Sequence, residues 1–231
     1  RTLRTEWVIA ATGKVQPRSD GMENPKLATG QIEVAIESLE ILNTSRTPPF
    51  ELDSAEKTHE EHRLGARYID LRRPEMLKKM GIRHRVTKIT RDYFDMLGFW
   101  EIETPMLAKS TPEGARDFLV PSRLNPNCFY ALPQSPQLFK QILMVGSIDK
   151  YFQIVRCFRD EDPRADRQAE FTQIDVEMSF VDTNDVIGVH ENLIAGIWQE
   201  VLGVNVSLPM KKLPYHEAIK DYGTDRPDLR F

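Results

Sequence analysis

The chain has 231 residues, 40% hydrophobic and 29% charged, with 31 Lys and Arg against 35 Asp and Glu for a formal net charge of −4. This length buries at least one full core and sets an expectation of one or two domains. The slight acidity argues against a general nucleic-acid binder, leaving room only for local basic patches, at Arg63, Arg67, Arg72 and Arg73 or at Arg164 and Arg167. Two cysteines, Cys128 and Cys157, are too few for a disulfide framework, and no Cys/His cluster has zinc spacing. There is neither an apolar run long enough for a membrane span nor a signal-peptide pattern, so a reducing, cytoplasmic setting is expected.

In chain order, residues 6–15 and 31–42 read as strands, the second alternating Ile32, Val34 and Ile36 against Glu33, Ala35 and Glu37. Gly21, Asn24, Pro25 and Gly30 supply turn chemistry between them. Two strands alone form no stable unit, so this is read as part of a larger β domain over residues 1–45. Residues 46–66, with Pro48-Pro49, read as a hinge or linker. A long amphipathic helix then opens at Pro74, with Ile82, Val86, Ile89, Tyr93 and Leu97 on one stripe and Gly98 as its stop. Residues 99–107, FWEIETPML, form an expected strand, with Pro105 marking an edge or an end.

Residues 109–117 are a loop by composition, in which Glu113, taken alone, is a solvent-facing charge. Ser135 is the expected N-cap of a helix running from Pro136 to Val145. Gln137, Lys140 and Gln141 share one of its faces, and Ile142, Leu143 and Val145 are free to turn inward. Polar groups at a helix N-terminus with a Lys one turn on suit a carboxylate. Beyond residue 180, a helix capped by Asp182 or Thr183 carries the apolar stripe Val186, Val189, Leu193, Ile197 and Val201 up to Gly203, and Tyr215 to Tyr222 form a last short helix.

The most informative segment is the hairpin over residues 151–180. On the incoming run Gln153, Val155, Cys157, Arg159 and Glu161 share a face; on the return run Phe171, Gln173, Asp175, Glu177 and Ser179 do, with Thr172, Ile174, Val176, Met178 and Phe180 directed to a core. A solvated sheet face would explain polar residues here. The connection does not fit that explanation, because it is longer than the usual two to five residues and holds Asp162, Arg164, Asp166 and Arg167. A fixed Arg beside a fixed Glu suits a ligand that has both an anion and hydrogen-bond donors. Cys157 on this face reads as a small buried filler rather than a nucleophile.

Phe158, Arg159, Glu161, Arg167 and Phe171 follow the pattern Phe-Arg-x-Glu, loop, Arg-x-x-x-Phe, which resembles motif 2 of the class II aminoacyl-tRNA synthetases. The run FRDEDPRADRQAEFTQIDVEMSF is similar to the bacterial-type aspartyl enzymes of that family, departing from them at Pro163 and Ala169. Residues 82–107 resemble motif 1, residues 67–74 the opening of the catalytic domain, and LPQSPQLFKQ the family's amino-acid pocket. The resemblance implies an α+β fold over residues 67–231, an antiparallel sheet flanked by helices, preceded by the end of an anticodon-binding OB-fold barrel. It also implies a homodimer and the substrates ATP, L-aspartate and tRNA(Asp), or tRNA(Asn) as well. A third motif, with a second ATP arginine and the Mg2+ ligands, would lie beyond residue 231.

Carried over by position, the resemblance makes Arg159 the catalytic cation, touching both the substrate carboxylate and the α-phosphate. Glu113, Ser135, Gln137, Lys140 and Asp175 would hold aspartate, Glu113 from a loop that flips over it, Lys140 on the side-chain carboxylate and Asp175 on the ammonium. Asp160, Glu161, Gln168 and Phe171 would hold ATP, and Arg164, Asp166 and Arg167 would meet the tRNA acceptor end. Two other readings stay open at this level. One is a nucleic-acid-binding module in which the hairpin is only scaffold; the other is an inactive paralogue retaining dimerisation and nucleotide or tRNA binding.

Overall fold

The computed structural model describes residues 3–52, 57–111 and 113–230; Pro112 of the 109–117 loop and residues 53–56 of the expected linker lie outside the described residues. The chain divides into two compact units, Arg1–Met80 and Gly81–Phe231.

In the first unit, β1 (Val8–Pro17) and β2 (Ile32–Asn43) pair antiparallel. Ile32, Val34 and Ile36 have even parity while Leu39 and Ile41 have odd parity, so a regular strand would split them between two faces. A register shift between Thr12 and Gly13 absorbs the mismatch: Ile9 faces Ile41, Ala11 faces Leu39, Gly13 faces Ile36 and Val15 faces Val34. Glycine is needed at residue 13, where a Cβ would stand 2.1 Å from the Ala35 carbonyl oxygen. The described structure shows this ribbon and does not show an OB barrel.

After it come α1 (Glu60–Gly65), α2 (Arg67–Asp70) and the first turns of α3 (Pro74–Met96). The side chain of Asp70 is fully buried, receiving Arg67 at 2.6 Å and Arg73 at 2.7 Å, with Arg63 3.8 Å away. Arg72 pairs with Glu6. The basic patch expected at these four arginines is thus engaged in ion pairs; a buried carboxylate demands such compensation.

The second unit is organised around a mixed three-stranded sheet in the order β3 (Trp100–Glu101), β6 (Lys150–Phe158), β7 (Glu170–Met178), with β3 parallel to β6 and β7 antiparallel to it. A separate pair, β4 (Leu119–Pro121) and β5 (Phe129–Ala131), carries the chain to α4 (Gln137–Val145). Helix α5 (Thr183–Leu202) starts on an Asp182 capping box with Asp185 and stops at Gly203 in the left-handed region; α6 (Tyr215–Tyr222) follows.

The core gathers Phe94, Phe99, Phe152 and Leu193, with Tyr93, Leu97, Val176, Met178, Val189 and Ile197 around them. The Phe94 ring stacks on Phe152 at 4.8 Å and meets Phe99 edge-on at 4.9 Å. The stripe expected on α3 is offset from the most buried positions, which are Thr90 and Phe94. Thr90 sits there because its hydroxyl donates to the Val86 carbonyl at 2.8 Å.

Four local expectations are corrected. The strand over 99–107 contracts to two residues, because Pro105 has no N–H for the ladder and Thr104 meets the buried Gln153 amide at 2.9 Å through its hydroxyl. Ser135 does not cap α4; the N-cap is Pro136 without a side-chain bond. Ile142 and Val145 face outward, Val145 being 88% exposed, because α4 turns Lys140 toward the sheet instead. Phe180, expected inside, lies past the end of β7 with φ 58° and is 98% exposed.

Candidate functional site: one face of the β6–β7 hairpin

Register places Gln153 opposite Asp175, Val155 opposite Gln173 and Cys157 opposite Phe171. The alternation read from sequence holds at the core end, where Phe152, Val176 and Met178 enter the core on one side and the polar set faces the other, but Ile174, expected inside, is 39% exposed. Beyond the paired ends at Phe158 and Glu170, residues 159–169 form the connection. It is drawn together where the Arg159 N–H donates to the Ala169 carbonyl at 2.9 Å and where Arg164 and Arg167 form a second bridge.

Arg159 lies with its guanidinium over the Phe171 ring at 5.1 Å. Together with Glu161, Asp166, Arg167 and Gln168 they line a cleft of about 340 Å3. Arg167 approaches Glu161 at 3.8 Å. Arg164 stands at the exposed tip of the connection. Asp160 is exposed, and its backbone N–H donates to the Arg116 carbonyl at 3.0 Å.

Further along the same face, Lys140 reaches from α4 to Asp175 at 3.1 Å and Glu177 at 3.2 Å. Asp175 is 9% exposed. Burial raises its pKa above the usual carboxylate value, opposed by the Lys140 ammonium and reinforced by Glu177 and Glu113. Gln137 opens α4, half-buried, one turn before Lys140. Between the two halves of the face lies Cys157, fully buried, its thiol donating to the Gln173 amide oxygen at 3.2 Å. Burial first, then the charge of Asp175, pushes the thiol up to about 11, with Arg159 and Lys140 pulling the other way. Buried and with its thiol pushed up, Cys157 is the inert filler expected of it.

Glu113 is not the free charge that it would be alone. Thr111 donates to one of its oxygens at 2.9 Å and Ser135 to the other at 2.8 Å. Among the described residues, only two buried side-chain atoms lack a hydrogen-bond partner: Nε of Arg159, a donor, and Oδ2 of Asp175, an acceptor. Unsatisfied buried polar atoms are costly, so such a pair on one face marks a place for a ligand. Its complement offers an anionic acceptor near Arg159 and a donor, such as an ammonium, near Asp175.

Sequence reasoning missed Gln134, which ties the 109–117 loop to the start of α4, and Glu177 as a partner of Lys140. Glu177 carried a usable signal, since it shares the polar face with Asp175. Gln134 carried none beyond its place beside Ser135.

A family model described as tRNA synthetases class II (D, K and N) matches residues 59–231. An aspartate–tRNA(Asp/Asn) ligase of Persephonella marina is 61% identical over 231 residues, all of this chain and 38% of the relative. An aspartate–tRNA ligase of Ruminiclostridium cellulolyticum is 55% identical over the whole chain and 39% of its own length. In fold, the chain is similar to an asparaginyl-tRNA synthetase from Pyrococcus horikoshii solved with asparaginyl-adenylate, with a TM-score of 0.69 at 23% identity over 86% of this chain and 43% of that one. The chain thus spans under two-fifths of the length of these curated relatives. With the family model covering the sheet, both polar loops and α4, the chain belongs to the class II tRNA synthetases of the D, K and N group.

Proposed function

We propose that this chain is the ATP- and aspartate-binding part of an aspartate–tRNA ligase, which joins L-aspartate to AMP and passes it to tRNA(Asp), or to tRNA(Asn) as well. The observation that carries the reading is the pair of unsatisfied buried atoms, Arg159 Nε and Asp175 Oδ2, on one sheet face. An aminoacyl-adenylate presents an ammonium and, close by, a carbonyl and phosphate, and so satisfies both.

In this reading, an oxygen of the aspartate α-carboxylate bonds to the α-phosphorus of ATP, and the bond from that phosphorus to the bridging oxygen breaks, releasing pyrophosphate. Both reactants are anions and charge accumulates on phosphorus, so the chief demands are positioning and positive charge. The planar fork of Arg159 spans a carboxylate oxygen and a phosphate oxygen together. Phe171 packs against that guanidinium and stacks on the base, while Glu161 and Gln168 accept from and donate to the nucleotide. Asp175 and Glu113 hold the ammonium, and Ser135 and Gln137 line the pocket. Lys140 reads the side-chain carboxylate; an amide there would leave a desolvated ammonium unmatched, which selects acid over amide.

A terminal hydroxyl of tRNA then attacks the acyl carbonyl and AMP departs, with Arg164, Asp166 and Arg167 at the outer lip of the cleft suited to the acceptor end. No side-chain nucleophile is required. Magnesium is expected with the nucleotide, where one or two carboxylates beside the phosphates suffice; among the described residues no group of three or more His, Cys, Asp or Glu is placed to hold a metal ion. A cytoplasmic homodimer is part of the proposal, supported by Met96 and Trp100 exposed at the turn from α3 to β3. Among the described residues no helix is long and apolar enough to cross a membrane.

The test is ATP–pyrophosphate exchange by the full-length protein with aspartate, asparagine and lysine. Exchange with aspartate, abolished by Arg159→Ala, is expected. Exchange with lysine or asparagine alone would sink the assignment, and no exchange with any of the three would favour a nucleotide-binding paralogue.

A further inference from the structure

The segment between β5 and α4 fastens the loop of residues 109–117 at two points. Ser135 holds the Glu113 carboxylate, as described. Gln134, 3% exposed, holds the backbone: its Oε1 accepts from the Ala115 N–H at 3.0 Å, and its Nε2 donates to the Ala115 carbonyl at 2.9 Å and to Asp117 Oδ1 at 2.5 Å. The far oxygen of Asp117 accepts from Ser110 at 2.5 Å, closing the loop on itself. One amide therefore matches both main-chain groups of a single loop residue, two positions after Glu113. All of the amide's donors and its acceptor are spent on this loop.

We infer that Gln134 is a positioning residue, the latch that holds residues 113–117 against the pocket so that the Glu113 carboxylate stands where the amino-acid ammonium binds. The inference rests on the aspartate reading of that pocket. A core amide serving stability alone would bond to the rigid elements around it. This one bonds instead to a loop whose other tethers to its surroundings, among the described residues, are the Ser135 hydroxyl and the backbone bond from Asp160 to Arg116. When the latch opens, Gln134 and Ala115 both regain water, so the closed form is favoured by a modest margin that one substitution can erase. Amino-acid affinity then falls by the fraction of molecules left closed. Arg159 is held instead over the Phe171 ring, and among the described residues the loop meets the nucleotide side through the backbone bond from Asp160 to Arg116, which substitution of Gln134 leaves in place.

The test uses the full-length protein carrying Gln134→Met, which keeps volume and removes all three bonds, and Gln134→Glu, which keeps the acceptor and removes the donors. Hydrogen exchange without ligands is followed at residues 113–117, alongside the KM values for aspartate and ATP and kcat in pyrophosphate exchange. Expected are faster loop exchange in both variants than in wild type, since the Glu carboxylate would also face Asp117, and a KM for aspartate at least tenfold higher in the Met variant. The KM for ATP and kcat should stay within about threefold. Loop exchange unchanged in both variants overturns the inference, and so does a fall in kcat with both KM values rising together, which is general damage. If the Met variant fails to fold, the Glu variant decides by the same readings. If the wild-type protein turns over no aspartate, the proposed substrate fails while the loop-exchange comparison still decides the latch.

Discussion

Replacing Lys140 by Met should make the protein more sensitive to alkaline than to acidic conditions. Lys140 and Asp175 are each about one-tenth exposed at the side chain, 3.1 Å apart, with Glu177 3.2 Å from the same ammonium. Burial already lifts the Asp175 pKa above 3.8, and Lys140 is the principal group resisting the rise. Met keeps the volume and removes the charge, leaving burial, Glu177 and Glu113 all pushing upward. A folded-state pKa above the unfolded one means that the fold prefers the neutral acid: its contribution is present at low pH and is lost as pH rises through the folded value. Every tenfold gain in proton affinity is worth about 1.4 kcal/mol above that value, or about 3–5 °C of melting temperature for a unit of this size. Calorimetric scans at pH 5 and pH 8 should therefore show the larger deficit at pH 8, and adding Asp175→Asn should flatten the difference. An equal deficit at both pH values, or a larger one at pH 5, would refute the electrostatic account of this pair.

Three further outcomes are expected. Iodoacetamide at pH 8 should label Cys128, which is exposed, and spare Cys157, whose thiol is buried and held near 11, until the protein is denatured; mass spectrometry of the two cysteine peptides reads this directly. Phe94→Ala should cost about 3–5 kcal/mol in urea unfolding, since it empties the centre of the Phe99, Phe152 and Leu193 cluster. Asp182→Ala removes the side-chain acceptor of the N–H groups of Asn184 and Asp185 and should cost about 1 kcal/mol, with pyrophosphate exchange unaffected.

The hairpin and α5 were legible because strand alternation and helix capping are local codes: β6 and β7 separate core from site by parity alone, and Asp182 and Gly203 bracket α5 by chemistry. Long-range choices were not legible. The buried arc of α3 is decided by where β6 and α5 lie, which centres it on Thr90 and Phe94 and leaves Tyr93 and Leu97 of the expected stripe at its margin. On α4, a hydrophobic stripe suggested the inward side, yet the carboxylates of β7 drew Lys140 in and left Ile142 and Val145 out. Ser135 fits a cap on sequence grounds, but its hydroxyl goes to Glu113, twenty-two residues away. Gln134 belongs to the same class, since nothing within a few residues of a glutamine foretells a match to the main chain of a distant loop.

The nine residues of β6 and the nine of β7 carry fold and chemistry on opposite sides of the same backbone. Their length is therefore frozen in a way that their composition is not. One residue inserted in β6 would exchange Phe152 for its neighbour at the core or turn Arg159 away from the ligand, and one inserted in β7 would do the same to Val176 and Asp175. Two inserted residues would restore the parity but carry the site about 7 Å along the strand. Residues 162–167, between Glu161 and Gln168, bear no such constraint beyond the bridge of Arg164 to Arg167, so variation in length between related hairpins should collect there and change what the outer lip touches while the inner chemistry stays in place.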